Sequence, residues 1–86
     1  MRTHAPRTPT AASRVERLVE RSMTFAVEEY DDDRAVARLA WLAQDDHAAL
    51  DLACDVCLSF TDVDLAIRGR AIGLLARVRY EDLLSG

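Results

Sequence analysis

The sequence predicts an all-α fold: four antiparallel helices arranged as about two helical-hairpin repeats of a short α-solenoid, with a nonrepetitive four-helix bundle as the alternative. Three observations carry this expectation. Apolar residues recur at helical spacing through most of the 86 residues. Aspartate clusters interrupt that pattern where helix starts need carboxylates to receive free backbone N–H groups. The segment Asp31-x-Asp33-x-Ala35-Val36-x-x-x-Ala40 also returns 31 residues later as Asp62-x-Asp64-x-Ala66-Ile67-x-x-x-Ala71. Self-similarity at such a period marks stacked helical units, which commonly hold a partner.

Residues 1–12 contain both prolines, Arg2, His4 and Arg7, with no acidic residue and no apolar period, and read as a disordered basic arm. Residues 13–86 then form a single α-helical domain. Ser13 caps a first helix to about Tyr30, with Val15, Leu18, Val19, Ser22, Met23, Ala26 and Val27 on one stripe. The run Asp31, Asp32, Asp33 starts a second helix over about Asp33 to Gln44. Asp45 and Asp46 start a third, which carries Ala49, Leu50, Ala53, Cys54, Cys57 and Leu58 inward and ends near Phe60. Thr61 or Asp62 caps a fourth, whose apolar surface comes from Leu65, Ile67, Ala71, Leu74, Leu75 and Val78 up to Tyr80. Glu81 to Gly86 fray or form a last turn.

Short connections force neighbouring helices to run antiparallel. At the 31-residue offset Val19 meets Leu50, Ser22 meets Ala53, Met23 meets Cys54, Ala26 meets Cys57 and Val27 meets Leu58. The first helix is thus equivalent to the third, and the second to the fourth. Asp62, Asp64, Ile67, Arg68, Ala71 and Leu75 follow a pattern close to D-x-D-x-x-V-R-x-x-A-x-x-x-L, with isoleucine in the valine place. In this the chain resembles the short HEAT-like repeats of phycocyanobilin lyase-type proteins. The earlier copy keeps Asp31, Asp33, Val36 and Ala40 but has Ala37 for the arginine and Gln44 for the leucine. The resemblance covers about residues 14–79. It implies a scaffold for macromolecular contacts whose first and third helices line the concave side. It also implies that Arg68 pairs with aspartates at repeat starts, here Asp64 and Asp33. Lyase chemistry does not carry over: lyases of that family are much longer, and no residue set here identifies a tetrapyrrole site.

Composition narrows the function further. A net charge of −4 opposes nonspecific nucleic-acid binding, which needs a continuous basic surface, and fits a basic protein partner better. All 11 basic residues are Arg, Asn is absent and 14 residues are Ala, the mark of a GC-rich bacterial genome rather than of phosphate recognition. No apolar run approaches a membrane span and the N-terminus lacks the apolar centre of a secretory signal, so the expected location is cytoplasmic.

Candidate sites follow from the same reading. Cys54-Asp55-Val56-Cys57 is a CxxC with His47 two turns earlier, but zinc needs four convergent ligands and only His4 remains. Core packing is one reading of the pair and a metal or redox module the other. No nucleophile motif or phosphate loop points to an enzyme, and no cofactor is implied. The offset sets Glu16 beside His47, Glu20 beside Asp51, Thr24 beside Asp55 and Glu28 beside Ser59, an acidic ladder balanced mainly by Arg17 and Arg21. Trp41, the single tryptophan, lies about 140° around its helix from Val36 at the ~100° helical step. It either covers the neighbouring repeat or anchors an interface. Gly69 and Gly73 make a flat strip on the fourth helix, for internal packing or a homodimer contact, and Ile72 and Leu74 flank an end that no later repeat covers. The expected function is a noncatalytic adaptor that binds a basic protein partner through Glu20, Asp51, Asp55 and Trp41. A small acidic inhibitor of a basic toxin or nuclease, such as an immunity protein or antitoxin, is the alternative.

Overall fold

The computed structural model describes residues 11–85, and side chains over 13–81. The basic arm expected over residues 1–12 therefore lies outside the described residues except for its last two, which already belong to a helix. The described chain is all-α, with four helices packed compactly: α1 (Ala11–Glu28), α2 (Asp32–Ala43), α3 (His47–Leu58) and α4 (Leu65–Ser85).

Each boundary has a local cause. Ser13 lies inside α1, which is helical from Ala11, so it is not the cap. At the other end Glu29 takes a left-handed φ of 55°, and the Tyr30 N–H donates to the Phe25 carbonyl at 3.1 Å. The rings of Phe25 and Tyr30 stack with centroids 4.8 Å apart, adding the apolar contact that accompanies this type of helix end. Asp31 caps α2 by accepting the Arg34 N–H at 3.1 Å, and Asp46 caps α3 by accepting the Ala49 N–H at 3.0 Å. Between them Gln44 and Asp45 both sit in the left-handed region, at φ 49° and 63°, so that two residues suffice to reverse the chain. The cap of α4 is Asp64, which accepts the Ala66 N–H at 2.8 Å, rather than Thr61 or Asp62. Those two residues instead belong to the turn that leaves α3.

α4 packs along each of the other three helices, whereas α2 and α3 meet least. The core gathers Leu18, Phe25, Leu39, Leu50, Leu75 and Val78, with the smaller Ala53 and Cys57 letting helices approach. In the first and third helices Leu18 and Ala49, Val19 and Leu50, Ser22 and Ala53, and Ala26 and Cys57 are buried pairwise at the repeat offset. In the second and fourth the offset pairs diverge: Ala35 is buried and Ala66 exposed, while Ala40 is exposed and Ala71 buried.

Several inward assignments change. Phe25 is buried and Val27 exposed, because α1 turns its Leu18–Ser22–Phe25 edge to the core and Val27 falls on the rim. Leu58 and Leu65 are likewise exposed, each standing at the end of its helix beside the α3–α4 turn, beyond the reach of the core. Leu74, expected on an open flank, is only 3% exposed, and Ile72 packs partly against the core, so α4 has no bare apolar end there. Arg68 forms no ion pair with Asp64 or Asp33 among the described residues; it donates to the Phe60 carbonyl at 2.9 Å and closes the C-terminal end of α3. The arginines that reach the start of α2 are Arg70, to Asp32 at 2.6 Å and the Tyr30 carbonyl at 2.8 Å, and Arg77, to Asp33 at 3.1 Å.

Gly69 and Gly73 are not used for internal packing. Both are exposed, and a Cβ built on either meets nothing within 4 Å. Alanine at each position is therefore expected to stabilise the fold by about 0.5–1 kcal/mol, through helix propensity and a less disordered unfolded chain. Urea unfolding of the single and double variants checks this, and a loss of stability would mean that the strip is covered in solution.

Candidate functional site

One end of the bundle carries a groove of about 280 Å³ between α2, the α2–α3 turn, the start of α3 and the C-terminal half of α4. Val36, Ala40, Ala43, Leu50 and Val78 make an apolar floor, and Asp45, His47 and Glu81 stand at its edge. The local sequence explains this arrangement. The left-handed pair Gln44 and Asp45 makes the turn tight enough to hold Asp45 at the mouth, and the small side chains of Ala40 and Ala43 leave the hollow between α2 and α4 unfilled.

The charges around the groove are unequally spent. Asp46 is held by Arg14, whose guanidinium donates to it at 2.8 Å, and Glu81 receives Arg77 at 2.8 Å. Asp45 has no ion-pair partner among the described residues. His47, Asp51 and Asp55 follow one another at four-residue intervals on α3, so the Asp51 and Asp55 carboxylates continue along one helix face from His47 at the groove mouth.

The N–H of Ala49 and then the Arg14 guanidinium hold the Asp46 carboxyl below its ordinary value of 3.8. A carboxyl lowered in the fold stabilises it fully above the unfolded value, and that contribution is lost as pH falls through the folded pKa. The acid limb of the stability curve is thus expected to steepen below about pH 4 and to flatten in Asp46→Asn. Urea melts across that range check the sign; an acid limb identical in both proteins would refute the assignment.

The structure treats the four sequence-derived binding residues differently. Asp51 and Asp55 sit one turn apart and exposed on α3. Asp51 is met by Arg79 of α4, Nε to Oδ1 at 3.4 Å, a cation absent from the expected balance of Arg17 and Arg21 because it arrives from a helix distant in sequence. Glu20 is exposed on α1, where its backbone carbonyl accepts the Thr24 hydroxyl at 2.9 Å. Trp41 does not cover a neighbouring unit: it is 69% exposed, and it lines a separate hollow with Tyr30, Arg34, Ala37 and Arg38. The groove residues themselves escaped sequence reading. They come from three helices, and their only sequence signal is the pair of alanines Ala40 and Ala43 facing Val78 across the packing.

The two cysteines lie where packing dominates. Cys57 is fully buried, and its thiol lies 3.9 Å from Ser22 Oγ, which itself donates to the Val19 carbonyl at 3.0 Å. Burial pushes the Cys54 thiol up to about 11, with Cys57, Asp51 and Asp55 adding to the rise, and burial also raises Cys57. Both shifts run away from the thiolate form through which a reactive cysteine acts. Among the described residues no group of three or more His, Cys, Asp or Glu is placed to hold a metal ion, and no helix is long and apolar enough to cross a membrane.

No protein-family model, curated protein or solved structure matches the chain.

Proposed function

We propose that the chain is a noncatalytic protein-interaction module that receives a basic segment of a partner protein, with an aliphatic residue of that segment seated in the α2–α3–α4 groove and its cations along Asp45, Asp51 and Asp55. The observation that carries this reading is the combination in one groove of an apolar floor and an uncompensated carboxylate at its mouth. Apolar burial provides the anchor, and the line of charge on α3 steers and orients the approach. An adaptor of stacked HEAT-like hairpins is the finer form of the proposal, and the matching burial of α1 and α3 at the repeat offset supports it. An acidic inhibitor that masks a basic toxin or nuclease would use the same surface chemistry with an enzyme as its partner.

Asp45→Asn combined with Asp55→Lys tests the reading without touching a paired carboxylate. The asparagine keeps the left-handed backbone that Asp45 needs. Association with a Lys/Leu amphipathic peptide is expected to slow by about tenfold at low salt and to lose much of its salt dependence, with the melting curve nearly unchanged. Binding that is equally fast and equally salt-dependent in the double variant would remove the acidic surface from the account. Glu20→Lys measured beside it decides whether α1 belongs to the same surface.

A further inference from the structure

The outer face of α2 has the opposite chemistry from the groove. Tyr30, Arg34, Ala37, Arg38 and Trp41 line an open hollow of about 440 Å³ on the side of the helix turned away from its buried residues Ala35, Val36, Leu39 and Ala43. The surface is built rather than incidental. Tyr30 is fixed by its stack on Phe25, and the Arg34 guanidinium carbon lies 5.5 Å from the centre of the Tyr30 ring, held by the cation–π attraction. Trp41 completes the rim with its indole 69% exposed.

The charge of this face is positive because of what happens behind it. All four arginines of α4 are engaged inside the fold: Arg68 by the Phe60 carbonyl, Arg70 by Asp32, Arg77 by Asp33 and Glu81, and Arg79 by Asp51. At the start of α2, Asp32 and Asp33 are neutralised by α4 in the same way, while Asp31 is turned to the Arg34 backbone N–H as the helix cap. Arg34 and Arg38 are left exposed with no carboxylate partner among the described residues, in a chain whose net charge is −4. An exposed tryptophan one turn beyond Arg38 and two beyond Arg34, neither paired with a carboxylate, has the composition of an interface hot spot, and the charge selects an acidic occupant.

We propose that the outer face of α2 is a second docking surface, which takes an acidic segment of a protein partner, its carboxylates on Arg34 and Arg38 and an apolar side chain against Trp41. This surface is independent of the groove, so the module can bridge a basic and an acidic partner.

Trp41 is the chain's single tryptophan and so reports on this face alone. Its emission is followed while the full chain is titrated with a Glu/Leu amphipathic peptide carrying one Phe, with the Lys/Leu counterpart, and with oligothymidylate. The Glu/Leu peptide is expected to shift the emission to the blue in a saturable way, and Arg34→Glu with Arg38→Glu to raise its Kd at least about tenfold. Both arginines are exposed, so the double variant keeps its fold, and a far-UV spectrum verifies it. An emission unmoved by the Glu/Leu peptide at about 1 mM, where even weak binding at about −4 kcal/mol would register, overturns the proposal. Equal affinity in the reversed variant overturns it as well, and so does a response to oligothymidylate alone, which would assign the face to a nucleic acid. An equal blue shift with the Lys/Leu peptide would remove the charge selection and overturn the proposal; binding of that peptide at the groove is read separately by calorimetry, so failure on either surface is distinguishable from failure on the other.

Discussion

Leu75→Ala is expected to remove about 2–5 kcal/mol of stability, whereas Leu65→Ala on the same helix should change it by less than about 0.5 kcal/mol. Leu75 is fully buried at the centre of α4, and the smaller side chain leaves a cavity among three helices that can relax only in part. Leu65 is 72% exposed at the first position of the helix and loses only contacts with water. A chain of 86 residues holds roughly 4–13 kcal/mol in total, at about 0.05–0.15 kcal/mol per residue, so the Leu75 variant gives up a large part of its stability and the Leu65 variant almost none. Urea unfolding of both proteins measures the contrast. Similar losses at the two positions would mean that α4 presents a different face to the core.

Ala40→Arg is expected to weaken binding of a basic amphipathic peptide by about 10- to 100-fold while leaving the fold intact. Ala40 lines the groove yet is itself exposed, so a long side chain there fills the hollow without entering the core. The guanidinium also brings a charge of the same sign as the partner's cations to the mouth, where the unpaired Asp45 now attracts them. Arginine is nearly as good a helix former as alanine, which keeps α2 stable. Calorimetric titration of the Lys/Leu peptide reads the affinity, and a thermal melt verifies the fold. Affinity unchanged by Ala40→Arg would place the peptide elsewhere.

Much of this fold is legible in the sequence, for local reasons. Helix starts at Asp31 and Asp46 follow from side chains that bond the N–H groups three residues on, and the inward positions of Leu18, Leu50, Ala53, Cys57 and Leu75 follow from the helical period. The angular distance of Trp41 from Val36 sets it off the core stripe but leaves open whether a neighbouring unit covers it, and the structure leaves it exposed. Periodicity says less about the edges of a stripe, where the angle at which helices cross decides burial. That is why Phe25 replaces Val27, and why Leu58 and Leu65 face outward at the ends of their helices.

Contacts between helices far apart in sequence were the least legible. The resemblance placed the structural pairs on Arg68, but α4 lies so that Arg70 and Arg77 reach the aspartates of α2, leaving Arg68 beside the end of α3. Arg79 reduces the free charge of Asp51 for the same reason. The groove is a further consequence of packing: its floor joins Val36, Leu50 and Val78, which no spacing rule connects. The offset sets Glu20 beside Asp51 and Thr24 beside Asp55; in the structure Asp51 and Asp55 share the face of α3 that leads to the groove.

The central claim is that one groove between α2, α3 and α4 receives a basic segment. Chemical-shift mapping tests it most directly: the ¹⁵N-labelled chain is titrated with the Lys/Leu peptide, and each backbone amide is followed. The expected result is a saturable set of changes at Ala40, Ala43, His47, Leu50 and Val78 that continues to Asp51 and Asp55. Changes confined to other surfaces, or none at saturating peptide, would contradict the account.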